Sequence, residues 1–119
     1  MIEQSALIKS IIEGIQEKKG KAITHVDLSK LEYTGVDDFI ICSGTSTMQV
    51  TAIADSVCEY VNKATDVKPF NSDGYQNAQW IVLDYGSIYV HVFLPEFREL
   101  YDLEQLWSDA VITRVPDID

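Results

Sequence analysis

Positive charge is scarce in this sequence. Nine Lys and Arg stand against nineteen Asp and Glu, for a formal net charge of −10. Binding DNA or RNA through phosphate neutralisation needs a basic face, and too few cations are present to build one. Lys9, Lys18, Lys19 and Lys21 gather near the first helical segment, but lysines at a helix end also simply meet its dipole. An acidic surface suits a basic protein partner, whose approach it accelerates, and it also keeps a chain dissolved. Cysteine is scarce as well. Cys42 and Cys58 lie inside apolar stretches, form no CxxC pair and have no His at ligand spacing. Zinc is thereby disfavoured, and two reduced, buried thiols are expected rather than a disulfide. No apolar run approaches the roughly 20 residues that a membrane-spanning helix requires, and Pro/Ser-rich or low-complexity tracts are missing. The opening MIEQSALIKSIIEG mixes charges with apolar residues, unlike a signal or transit peptide. These absences lead us to expect a soluble, cytoplasmic protein with no metal, no cofactor, no DNA and no membrane as partner.

What is present reads as one folded unit. The chain has 119 residues, 46% of them hydrophobic, which is enough for a single core and no more. Leu7, Ile8, Ile11, Ile12 and Ile15 recur on one face at helical period, predicting a helix over 3–19 that ends at a left-handed Gly20. Residues 22–28 alternate in part and read as a strand from which His25 points to solvent. After a loop around Tyr33, the run Phe39-Ile40-Ile41-Cys42 suits a central strand buried on both faces. Ser46 and Gln49 form a capping box at the start of a second amphipathic helix over 47–64. Val67 to Phe70 reads as a short edge strand containing Pro69, followed by the polar turn Asn71-Ser72-Asp73-Gly74. Residues 79–84 and 87–94 make a β-hairpin around Tyr85-Gly86, and Pro95 opens a third helix carrying Phe97, Leu100, Tyr101, Leu103, Leu106 and Trp107. The expected fold is a single-domain α/β protein with a mixed sheet flanked by helices, spanning residues 1–112. Residues 113–119 are expected to be an acidic C-terminal tail.

The hairpin has two apolar faces. With Tyr85 and Gly86 as a two-residue loop, Leu83 opposes Ile88 and Trp80 opposes His91. One face then carries Ile81, Leu83, Ile88, Val90 and Val92, and the other Trp80, Val82, Tyr89, His91 and Phe93. The aliphatic face is ordinary core. The aromatic face is open to two readings, a seat for a second helix layer or a protein-docking surface rich in interface residue types.

Catalytic constellations are harder to find. Gly44-Thr45-Ser46, at a strand-to-helix junction, lacks the lysine of a P-loop. It resembles the Gly-Ser element of nucleotidyltransferases, which also need an Asp-x-Asp on the next strand to hold metal. Here the sole Asp-x-Asp is Asp117-Ile118-Asp119, at the far end of the sequence. Cys42 and His91 lie on different strands, and a buried inert thiol is the commoner case. Glu96, Arg98 and Glu99 cluster at the start of the third helix, where a solvated face and interface charges are both open.

Three blocks carry a family resemblance. Asp38-Phe39-Ile40-Ile41-Cys42-Ser43-Gly44-Thr45-Ser46, with Ala54-Asp55 beyond it, resembles a D-[YF]-hydrophobic-x-x-[ST]-G-[TN]-S segment of the ribosomal silencing factor (Iojap-like) family. Trp80 to Gly86 followed by Val90-His91-Val92-Phe93 is closer still. Arg98 to Trp107 is similar to that family's R-x-x-Y-x-L-E-x-L-W ending. The sequence departs from the usual pattern at Asp73, Ser87 and Leu94. The resemblance implies a nucleotidyltransferase-like fold without the catalytic carboxylates, and no enzymatic activity. It implies binding to the large ribosomal subunit through its protein fourteen, which prevents subunit joining and represses translation when nutrients are scarce. It also implies a contact surface around Trp80, Val82, Asp84 and Tyr85. The expected partner-binding set is Trp80, Val82 and Tyr85 as apolar anchors with Asp84, Glu96 and Arg98 as polar matches. A homodimer is left open, as are two alternatives: a large-subunit assembly factor and a nucleotide-binding enzyme.

Overall fold

A computed structural model describes residues 3–31 and 34–118. Tyr33, in the expected loop, and Asp119 lie outside the described residues. Leu7, Ile11 and Ile15 bury one face of α1 (Gln4–Glu17), as their spacing predicts. The left-handed residue after it is Lys19 (φ 58°) rather than Gly20, which is buried against Ile15 and Ile53. The chain continues through β1 (Lys21–Asp27), β2 (Asp38–Ser43), α2 (Thr47–Thr65), β3 (Asn71–Asp73), β4 (Trp80–Asp84) and β5 (Ile88–Phe93). It ends with α3 (Pro95–Tyr101), α4 (Leu103–Leu106) and β6 (Val111–Arg114).

The strands form one mixed sheet in the order β3-β4-β5-β2-β1-β6. Among the described residues, only β2 and β5 run parallel; the other neighbours are antiparallel. The apolar run in β2 takes the central place expected of it and is buried at every position. On one face lie α1 and α2, whose Ile11, Ile15, Val50, Ile53 and Val57 pack on Ile40, Cys42, Ile81, Leu83, Val90 and Val92. The two helices touch at Gly14, where an added Cβ would sit 2.8 Å from Val57 Cα. Ser56 Oγ donates across the same contact to the Gly14 carbonyl at 2.7 Å. Gln49 fastens the far end, donating through Nε2 to the carbonyls of Lys18 and Lys19. On the opposite face Phe97, Leu103 and Trp107 pack against Val26, Phe39, Ile41 and Phe93.

Four local expectations are corrected. The edge strand is Asn71–Asp73, not Val67 to Phe70, because Pro69 has no N–H to donate and pairing begins where Phe70 N–H meets the Asp84 carbonyl. The third helix is not continuous: Asp102 adopts left-handed geometry (φ 45°, ψ 58°), and its carboxylate accepts from Gln105 N–H to start α4. Aspartate tolerates that conformation and is a good N-cap, so one residue ends one helix and begins the next. The segment read as a tail begins inside β6, and its continuation is held by Val115 N–H on the Ile23 carbonyl and Ala22 N–H on Asp117. His25 does not point into solvent. Its Nε2 lies 2.6 Å from Asp38 Oδ1, and Asp38 Oδ2 in turn accepts from Gln4, tying α1 to the sheet.

Candidate functional site

The hairpin register differs from the expected one by two residues, so Trp80 opposes Phe93, Val82 opposes His91 and Asp84 opposes Tyr89. Side chains alternate with period two, and an even shift leaves every residue on its predicted face. The longer bend follows from Asp84, whose Oδ1 accepts from Gly86 N–H at 2.7 Å, and from Tyr85 N–H bonding the Ile88 carbonyl. Gly86 has φ 87°, a conformation that a side chain would strain, and an added Cβ would press on the Phe70 ring at 3.0 Å.

The aromatic face is neither fully sealed nor fully open. Phe39, His91 and Phe93 are buried, while Trp80, Val82 and Tyr89 remain half-buried. Trp80 packs on Phe93 with ring centroids 4.9 Å apart and on Tyr101 at 4.7 Å. Its indole N–H donates to His91 Nδ1 at 3.1 Å. Phe39 stands edge-to-face with His91 at 4.7 Å. Burial in this ring cluster lowers the His91 pKa to about 4, because the charged imidazolium would lose its hydration there. The accepted indole bond assigns the neutral tautomer, with the proton on Nε2.

The expected binding residues divide. Trp80 and Val82 share the half-open face, with Asp84 at its end held in the bend. Tyr85 does not join them. It is 5% exposed and belongs to the core beneath α2, on the opposite side of the sheet from Trp80, so it has no free area to offer as an anchor. Glu96 is exposed in the first turn of α3. The Arg98 side chain is only 11% exposed. Its guanidinium donates to both oxygens of Glu104, to Ser43 Oγ and to Thr24 Oγ1, so it fastens α3 and α4 to the sheet instead of facing outward.

On either side of the break at Asp102, three of the apolar residues expected on the third helix stand exposed. Leu100 is 71% exposed, Tyr101 51% and Leu106 70%. Tyr101 carries the apolar area of α3 onto Trp80, and between them lies a groove of about 160 Å³ lined by Gly74, Asn77, Gln79, Trp80, Phe97 and Tyr101. Glu96, Glu99 and Asp102 are exposed along the same helix, giving it an acidic rim. The signal in the sequence was the aspartate itself, a capping residue three positions before Gln105.

The other candidates do not converge. Cys42 and His91 sit on neighbouring strands but on opposite faces, Cys42 under the helices and His91 among the rings. Burial pushes the Cys42 thiol up to about 12. At the Gly44-Thr45-Ser46 junction, Ser46 Oγ accepts from Gln49 N–H as predicted, but the returning Gln49 Oε1 accepts from Thr45 rather than from Ser46. Among the described residues there is no group of three or more His, Cys, Asp or Glu side chains able to hold a metal.

Comparison with known proteins agrees with this architecture. The family described as "Ribosomal silencing factor during starvation" matches residues 2–119. The chain is 39% identical over 104 residues to ribosomal silencing factor RsfS of Haemophilus influenzae, covering 87% of this chain and 99% of that one. It is 36% identical to the Mus musculus protein named mitochondrial assembly of ribosomal large subunit protein 1, over 85% of this chain and 45% of that one. A crystal structure of a Chromobacterium violaceum protein matches with a TM-score of 0.84 at 36% identity, covering 90% of this chain and 88% of that one. With the family matched across nearly its whole length, by sequence and by fold, this chain belongs to the ribosomal silencing factor family.

Proposed function

We propose that this protein docks on the large ribosomal subunit through its protein fourteen, and that its presence there blocks joining of the small subunit. The observation that carries the reading is the half-open ring face: Trp80 and Val82 share it, and the exposed Tyr101 packs on Trp80 at 4.7 Å. Aromatic and aliphatic area of this kind, with an acidic rim, supplies an apolar anchor and steers a basic partner. The net charge of −10 favours encounter with a ribosomal protein of opposite sign. Repression by occupancy needs no turnover, which fits a family defined by silencing rather than by a reaction. Asp84 and Glu96 supply polar matching, whereas Arg98 acts from behind by holding α3 in place. Tyr85 contributes the shape of the bend.

Trp80→Ala should weaken binding to purified large subunits by roughly 2 kcal/mol or more, about thirtyfold. It should also relieve inhibition in a joining assay with purified 30S and 50S particles. Unchanged affinity in a folded variant sinks the docking assignment. A second reading, large-subunit assembly, is favoured by the name of the mouse relative. Deletion distinguishes the two: an assembly factor leaves precursor particles, whereas a silencing factor leaves mature subunits that join too freely. Calorimetry with nucleotides and magnesium addresses the remaining rival, since docking by occupancy predicts no specific heat.

A further inference from the structure

Two neighbours pack against the Trp80 indole, Phe93 from the adjacent strand and Tyr101 from α3. Ring packing restrains tilt but leaves the choice of which indole edge turns inward. The indole N–H donates to His91 Nδ1 at 3.1 Å, which ties the pyrrole edge inward. The side chain so held is half-buried and keeps part of its area at the surface. His91 itself is 5% exposed, so a partner covering Trp80 meets little of it.

The placement of an imidazole here is costly. The ring sits among Phe39, Tyr89, Trp80 and Phe93, and its second nitrogen, Nε2, is buried with no hydrogen-bond partner among the described residues. A phenyl ring would pack in the same cluster without a buried donor to satisfy. The imidazole differs from phenyl, to its advantage, in the acceptor that it turns toward Trp80.

Resting on the docking reading above, we propose that His91 is a positioning residue of the docking surface, its Nδ1 setting the orientation in which Trp80 meets the partner. The bond lowers the ordering cost of docking, since the indole is already held before the partner arrives.

Binding of purified large ribosomal subunits to a small set of folded variants tests this. His91→Phe keeps a ring and removes the acceptor, and it should lower affinity by about three- to tenfold. His91→Asn restores an acceptor near the Nδ1 position and should recover most of that loss. In a Trp80→Phe background, which has no indole N–H at this site, His91→Phe should cost nothing further. The indole N–H resonance of Trp80, assigned with Trp107→Phe, should move in His91→Phe and return toward its original position in His91→Asn. Normal affinity in His91→Phe, alongside lost affinity in Trp80→Ala, overturns the positioning role while leaving the docking surface intact. Normal affinity in both overturns the docking surface and this inference with it. An unmoved indole resonance, or an equal loss in the Trp80→Phe background, also rejects the assignment.

Discussion

Acid should destabilise this protein through His91, and the size of the effect can be worked from its surroundings. The folded imidazole has its pKa lowered to about 4 by burial, against an ordinary value of 6.5. Below pH 6.5 the unfolded chain takes up a proton at this position that the folded chain refuses until about pH 4. Stability is therefore fully present above pH 6.5 and falls as pH drops through that window. The difference of ~2.5 units, at about 1.36 kcal/mol per unit, is worth roughly 3 kcal/mol. Geometry supports the direction independently. Nε2 already carries the proton of the neutral ring, so a second must go to Nδ1 and displace the indole bond of Trp80. Urea unfolding of wild type and His91→Asn between pH 7.5 and 4.5 isolates the effect, since His25 and the carboxylates are common to both. The wild type should lose about 2–3 kcal/mol more than the variant across that range. Parallel stability profiles would refute the assignment of a neutral, buried His91.

Gly14→Ala should cost about 1–3 kcal/mol in urea unfolding, because its methyl would meet the backbone of α2 at 2.8 Å and the helices would have to part. Asp66 caps α2 in left-handed geometry (φ 59°) and sets a negative charge beside the helix C-terminus. Asp66→Gly relieves both and should raise stability by about 1 kcal/mol, read as a higher denaturation midpoint. Arg98→Ala leaves Glu104 without its buried-side partner and frees α3; it should cost about 3 kcal/mol and weaken large-subunit binding as well. A variant that lost binding with wild-type stability would show Arg98 to be an outward contact instead.

Local pattern made much of this protein legible. The helical repeat of Leu7, Ile11 and Ile15, the continuous apolar run of β2 and the Ser46 cap each specify an element through interactions within a few residues. Face assignment in the hairpin also came through, because alternation survives any even shift of register. The family was readable in the blocks around Asp38, Trp80 and Arg98, and the match over residues 2–119 agrees with it. Tertiary structure decided the rest. β6 carries no alternating apolar pattern and exists because β1 offers it a partner edge. The fate of Tyr85 depended on the length of the bend and on the core beneath α2, which receives its ring. Arg98 turned inward because Thr24, Ser43 and Glu104, distant or displaced in the chain, meet around one guanidinium. The half-open state of the ring face, and the left-handed aspartate that divides the helical segment beside it, are visible only in the folded chain. Sequence periodicity states which side chains share a face; how much of that face a neighbouring element covers is a property of packing, and packing is settled among residues far apart in the chain.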